Sequence, residues 1–260
     1  MMRNHQITLA VPNANDATRW LTRILGHAGV DSNSVLFEPG VELTLVSSAS
    51  TDSAPPSIVD LGTNHLCFRV NNIERVADQI GELPHTEVLG DVIEVPEGPI
   101  QGNKWVYFRS PWGTLFELQE WPKTPQYFRE TDARLFHDHP AQRPEALHGI
   151  RGLDHTGYSV DNLESAISNL TNQAGGRIVL RTEMTVDETF TRRQFGIDIR
   201  CTSKMAMIAV DGLNIELFEH RGPEQQPPRR GTEFGGHKLL LSSSLTCAPD
   251  LSSVTRVGVS

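Results

Sequence analysis

Cysteine is scarce. The 260-residue chain has three, Cys67, Cys201 and Cys247, widely spaced and odd in number. Such a set builds neither a disulfide framework nor a Cys-x-x-Cys zinc site, so a reducing compartment, the cytoplasm, is the expected setting. Long hydrophobic runs are also missing. No stretch approaches the roughly 20 apolar residues that span a bilayer, and the opening MMRNHQITLAVPNAN lacks the apolar core of a signal peptide. A membrane partner is therefore not expected. Positive charge is in deficit: 23 Lys and Arg stand against 32 Asp and Glu, a net −9, which argues against nucleic acid as a partner. What remains, 38% hydrophobic and 21% charged residues, is the composition of a globular protein, in one large domain or two of ordinary length.

What the chain does have is internal repetition. The stretches QITLAVPNAN (6–15), HLCFRVNNIE (65–74) and HTGYSVDNLE (155–164) each read as a short alternating strand followed by an Asn- or Asp-containing turn. Amphipathic helices follow in NDATRWLTRILG and NLESAISNLTNQAGG, each with a capping side chain at its start and glycine at its end. Later strands close on an apolar-Glu-Leu signature: VELTLVSS (41–48), TLFELQEWP (114–122) and LNIELFEHR (213–221). The fold class is accordingly α+β, built of βαβββ units at about 4–48, 62–121 and 151–219. A fourth unit begins at GTEFGGHKLLL (231–241), parallel to VDLGTNHLCFRV (59–70), but the rest of the chain offers no helix or closing strand for it. By chain order the domains are 1–122 (units 1 and 2), a linker at 123–150, and 151–260 (unit 3 and the incomplete unit 4).

Strand alternation gives each unit two faces. Leu66, Phe68 and Val70 share one face, and His65, Cys67 and Arg69 the other. In LNIELFEHR, Glu216 lies with Asn214 and Phe218, opposite Leu213, Ile215 and Leu217. A carboxylate in such a strand most often faces water. Here it recurs beside a strand-opening histidine: His65 with Glu117, and His155 with Glu216. Two imidazoles and two carboxylates are a donor set for one divalent ion, Zn, Ni, Co, Mn or Fe(II). His-Asp-His at 137–139 lies in a polar linker and reads as solvated, and GPIQG (98–102) reads equally as a lid or a plain surface loop.

The stretches LDHTGYSVDNLESA with VDGLNIELFEHRGPE, and NHLCFRVNNIE with EGPIQGNKWVYFRSPWGTLFELQEWP, resemble the vicinal oxygen chelate superfamily. It includes glyoxalase I, methylmalonyl-CoA epimerase, extradiol dioxygenases and bleomycin-resistance proteins. WVYFRSPWGTLFEL is the most specific match, and the similar segments cover most of residues 5–241. The resemblance implies glyoxalase/bleomycin-resistance/dioxygenase-type modules, in which paired units form a cleft. It also implies an ion held by His65, Glu117, His155 and Glu216, with Glu117 or Glu216 as the proton-carrying catalytic carboxylate. Further positions carried over are Gln6 and Glu42 in unit 1 and His237 in unit 4. Thr44 shares the face of Glu42 and competes with it. Arg69 and Cys67 are expected in the substrate cleft. Adjacent pairing of units would make a site from Gln6, Glu42, His65 and Glu117. Exchanged pairing, units 2 with 3 and 1 with 4, would gather His65, Glu117, His155 and Glu216, and is favoured because it unites the intact positions.

The expected function is that of a metal-dependent lyase or isomerase acting on a small hydroxy-carbonyl or dicarbonyl substrate, through a metal-stabilised enolate and proton transfer. Two alternatives stand beside it. One is an Fe(II) ring-cleaving dioxygenase using His155, Glu216 and His237. The other is a non-catalytic, bleomycin-resistance-like protein that sequesters a small molecule. An open sheet edge at the incomplete unit is compatible with a homodimer.

Overall fold

The computed structural model describes residues 5–26, 33–37, 40–48, 54–121, 146–230 and 232–241. The His-Asp-His stretch at 137–139 and Cys247 lie outside them. Unit 1 supplies β1 (His5–Val11), α1 (Ala14–Leu25), β2 (Ser34–Phe37) and β3 (Val41–Ser47). Unit 2 supplies β4 (Gly62–Val70), α2 (Ile73–Gly81), β5 (Glu87–Glu94), β6 (Lys104–Arg109) and β7 (Leu115–Glu120). Unit 3 supplies β8 (Ile150–Ser159), α3 (Leu163–Ala174), β9 (Arg177–Val186), α4 (Glu188–Phe195), β10 (Cys201–Val210) and β11 (Leu213–Arg221). The start of unit 4 is β12 (His237–Leu240). Among the described residues no helix is long and apolar enough to cross a membrane.

The strands form two sheets. Units 2 and 3 make one of eight strands, β5-β6-β7-β4-β8-β11-β10-β9, while unit 1 and β12 make one of four, β12-β1-β3-β2. Units are thus joined across chain order: β4 runs antiparallel to β8, and β1 antiparallel to β12. Within each unit the last strand returns parallel to the first, β3 on β1, β7 on β4 and β11 on β8.

The turn after each opening strand carries an asparagine that caps the helix. Asn13 accepts from Asp16 N, Asn72 from Arg75 N and Asn162 from Ser165 N, each cap stabilising its helix by about 1 kcal/mol. A second cap comes from the closing strand. Glu120 accepts from Asn72 N and Ile73 N at 2.9 Å each, and Glu219 accepts from Leu163 N at 2.9 Å. Both lie three residues beyond Glu117 and Glu216. An odd step along a strand reverses the face, so one glutamate of each pair meets the positive end of a helix and the other faces away.

The core lies between sheets and helices. Leu66, Phe68, Val70, Tyr158, Val160, Ile215 and Leu217 are buried on the helix side, as alternation predicts. Trp20 on α1 joins the small sheet's helix to the large sheet. It packs against Phe108, Trp112 and Phe116, and its indole N–H donates to Thr86 Oγ1 at 3.0 Å.

The helix α4 is an addition that the repeat does not predict. Asp187 caps it, and Gly196 ends it in a left-handed conformation. It crosses from unit 3 to lie over β5 and β6 of unit 2. There Gly90, at φ +63, sits so close that a Cβ would come within 2.7–2.8 Å of Gln194 Oε1 and the Arg193 carbonyl. The β5–β6 register slips between Leu89 and Ile93, and this irregularity shapes the seat for α4.

Candidate metal centre and cleft

Where β4 meets β8, the four predicted ligand residues converge. His65 Nε2 lies 2.9 Å from His155 Nε2, 2.9 Å from Glu117 Oε2 and 3.4 Å from Glu216 Oε2. His155 Nε2 lies 3.4 Å from Glu117 Oε2 and 3.2 Å from Glu216 Oε2. All four side chains are buried. Ligands placed about 2.0–2.2 Å from one ion are separated by roughly 2.9–3.5 Å, according to whether the geometry is octahedral or tetrahedral. The observed spacings fall in that range.

Proton accounting points the same way. His155 Nδ1 lies 2.9 Å from Asp154 Oδ1 and donates to it, which leaves the Nε2 lone pair facing the centre. Two Nε2 atoms at 2.9 Å share one proton at most. Glu117 Oε2 is buried and turns its lone pairs toward the two imidazole nitrogens, 2.9 Å from His65 Nε2 and 3.4 Å from His155 Nε2. A divalent cation satisfies these electron pairs together, so the residues present fit a metal. Without one, the imidazoles compete for protons. Burial alone lowers the His65 pKa, but its hydrogen bonds to Glu117 and Glu216 raise it overall. Burial likewise opposes the charged form of His155, and neighbouring negative charges raise its pKa well above normal. For Glu216 burial raises the pKa, and the two histidines bring it well below the usual range.

Two further residues build this centre, of which alternation cannot locate the first. Asp154 is the extra residue of a bulge: Cys67 pairs with His155 and Phe68 with Leu153. The bulge brings adjacent residues Asp154 and His155 into contact. Arg69 holds the carboxylate, Nε at 2.6 Å and NH2 at 2.5 Å from Asp154 Oδ2, and keeps its pKa far below the carboxylate range despite burial. Gly157 faces His65 across the strands. A Cβ there would lie 2.3 Å from His65 Cε1, so the imidazole occupies the space that any larger residue needs.

Other expected residues stand elsewhere. Arg69 and Cys67 share the face of His65, but neither borders the cleft. Arg69 serves Asp154 and lies 5.6 Å from the Trp121 ring centre. Cys67 is buried beside His155, and burial pushes its thiol pKa well up. Gln6 contacts Glu42 at 3.5 Å on an exposed face of the small sheet. The register places Thr44, not Glu42, at the position held by Glu117 and Glu216: Thr8 faces Thr44 as Cys67 faces Glu117 and Gly157 faces Glu216. Ser47, three residues on, accepts from Ala14 N, as Glu120 and Glu219 serve their helices. His237 begins β12, opposite Leu9, so its strand belongs to the small sheet and not to the sheet of His155 and Glu216.

From the two carboxylates a cavity of about 300 Å³ opens between units 2 and 3. Glu117 and Glu216 form its inner end, the 98–100 loop part of its rim, and Thr191 and Phe195 of α4 part of its roof. Tyr107 packs edge-on against His65 at 5.1 Å. Burial, together with the charges of Glu117 and Glu216, pushes its phenol pKa well up, so it is a neutral hydrogen-bond donor.

No family profile matches the chain. A 2-epi-5-epi-valiolone epimerase from Actinomyces sp is 28% identical over 158 aligned residues, covering 51% of this chain and 86% of that protein. Among solved structures, a protein described as a dioxygenase from Bacillus subtilis is 17% identical with a TM-score of 0.48, over 87% of this chain and 68% of that one. Glyoxalase I from Zea mays is 13% identical with a TM-score of 0.35, over 82% and 91%. At those scores the two structures carry no functional argument.

Proposed function

We propose that this chain, with its vicinal oxygen chelate fold, is a metal-dependent lyase or isomerase that moves a proton at a carbon beside a carbonyl, on a small hydroxy-carbonyl or dicarbonyl substrate. The observation that carries the reading is the convergence of His65, Glu117, His155 and Glu216 at the inner end of a cavity between units 2 and 3. The relative's name supports it, because an epimerase breaks a bond at one face of a carbon and remakes it at the other.

These four residues would hold one divalent ion, Zn, Ni, Co, Mn or Fe(II), which supplies Lewis acidity toward a substrate oxygen and so acidifies the neighbouring C–H. The remaining roles belong to the chain. Glu117 and Glu216 reach the cavity from β7 and β11, on opposite sides of the β4–β8 junction. One carboxylate takes the proton from carbon as general base. The same group, or its counterpart, returns it as general acid. Asp154 holds the His155 ring in one tautomer, and the roof from α4 keeps water from the reacting carbon.

The site-bearing unit on this reading is 62–221, which crosses the chain-order division at 123–150. Dioxygenation through His155, Glu216 and His237 would need residues from two different sheets. Localisation in the cytoplasm accords with the scarcity of cysteine, and a small-molecule substrate with a cavity of about 300 Å³.

Metal analysis tests the proposal. The purified protein should carry about one divalent ion per chain, and His65→Ala and His155→Ala should each lose it. Absence of metal from the parent after reconstitution would overturn the reading. Metal-loaded protein should also exchange a substrate α-proton with deuterated solvent, and Glu117→Gln and Glu216→Gln should slow that exchange about 100-fold or more.

A further inference from the structure

We infer that two copies of this chain join along β9, each laying residues 180–184 antiparallel to the same residues of the other, with a twofold axis through Thr182. The inference is independent of the metal-centre reading.

Among the described residues the two sheets end in β2, β12, β5 and β9. Three of these edges are blunted in ways that discourage a further strand. β2 and β12 are four residues long, while β5 breaks its register between Leu89 and Ile93 and lies under α4. β9 differs. It is ten residues long and pairs with β10 in unbroken register from Val186 to Leu180, the shift coming only beyond Leu180. Residues 181–185 are all exposed. The exposed large apolar side chains among the described residues, Ile178 at 41% and Met184 at 42%, both lie on this strand. A long regular edge with apolar side chains in water is a template for strand addition.

Charge identifies the added strand as a second copy. Charged side chains ordinarily protect an edge, because like charges meet when two copies approach. Those of β9 do the reverse. In LRTEM (180–184), pairing about Thr182 sets Arg181 of each copy opposite Glu183 of the other, and Leu180 opposite Met184. A slip of two residues either way would stack Arg181 on Arg181 or Glu183 on Glu183. A slip of one would turn the cavity face of one copy against the helix face of the other. Arg181 and Glu183 lie on the helix side of the sheet, where Arg181 meets Glu164 of α3 at 2.6 Å and Glu183 faces Lys204 of β10. On the other side, Leu180, Thr182 and Met184 line the cavity. Pairing sets Met184 of the second copy beside Leu180, so each cavity takes part of its wall from the other chain.

Sedimentation equilibrium of the full chain tests this. A species of twice the 28.8 kDa chain mass should form. Glu183→Arg sets arginine against Arg181 at both pairs and should weaken the dimer about tenfold or more. Arg181→Glu combined with Glu183→Arg recreates both pairs in reverse and should restore the dissociation constant to within about threefold of the parent. Thr182→Cys meets its own copy on the axis and should form an interchain disulfide under mild oxidation. Thr185→Cys would stand about 20 Å from its own copy and should crosslink no more than the parent. A monomer at every concentration up to about 100 μM would overturn the inference. So would a dimer indifferent to Glu183→Arg, equal crosslinking by the two cysteine variants, or a double variant that keeps the parent's circular dichroism spectrum yet stays monomeric.

Discussion

At the scale of single residues, the centre depends on side chains that hold the ligands as much as on the ligands. Asp154→Asn keeps the size of the group but removes the charge that makes His155 a better donor and balances Arg69. Metal affinity should fall about 10- to 100-fold, measured by competition with a coloured chelator. Stability should fall as well, since the buried Arg69 guanidinium loses its counter-charge. Gly157→Ala tests sterics in isolation. The added methyl requires the space of the His65 ring, so the variant should lose metal while its circular dichroism spectrum stays that of the parent. Retention of full metal content would show that the ring has another place to go. The pairing of histidine with glutamate was legible in the sequence because both recur at matched positions in two units. Asp154 was not, because a bulge breaks the alternation on which face assignments rest, and the extra residue of a bulge leaves no mark of its own in the pattern.

At the scale of elements, the helix boundaries were largely legible. Asn162 caps its helix where the sequence places the start, whereas the first helix starts from Asn13, two residues before the Asn15 that opens NDATRWLTRILG. The second glutamate in ELQE and ELFE was visible in the sequence but not its task, since its partner is a helix start some fifty residues earlier. Helix α4 escaped notice because the repeat offers no counterpart, although Asp187 and Gly196 flank it with ordinary start and stop signals. Its docking makes a prediction. Gly90→Val adds a β-branched side chain at a left-handed position and directly under Gln194. The helix should lift from β5, so amides of 188–197 should exchange with deuterium much faster, while those of β4 and β8 keep their protection. Unchanged exchange in 188–197 would mean that α4 holds its place without this seat.

For the whole molecule, the pairing of units decides where chemistry can occur. Exchanged pairing was favoured in the sequence only because it unites the complete positions; the sheets join β4 to β8 and β1 to β12. In the small sheet Gln6 and Thr44 occupy the positions where the large sheet has its histidines and glutamates. The sequence placed Glu42 there because apolar-Glu-Leu looks alike in all three units, and only the register tells the two positions apart. Trp20 then ties α1 to the large sheet, and its replacement by alanine should cost about 3–5 kcal/mol in urea denaturation.

The contact between β1 and β12 has a consequence in time. Gln6 stands opposite Leu240, so this pairing must close a loop of nearly the entire chain, and closure over such a distance is slow to nucleate. The strands of units 2 and 3 are nearer in sequence and need not wait for it. In pulse-labelled refolding, amides of β4 and β8 should therefore gain protection before those of β1 and β12. The centre would be assembled first, and the two extremities of the described chain would clasp around it afterwards.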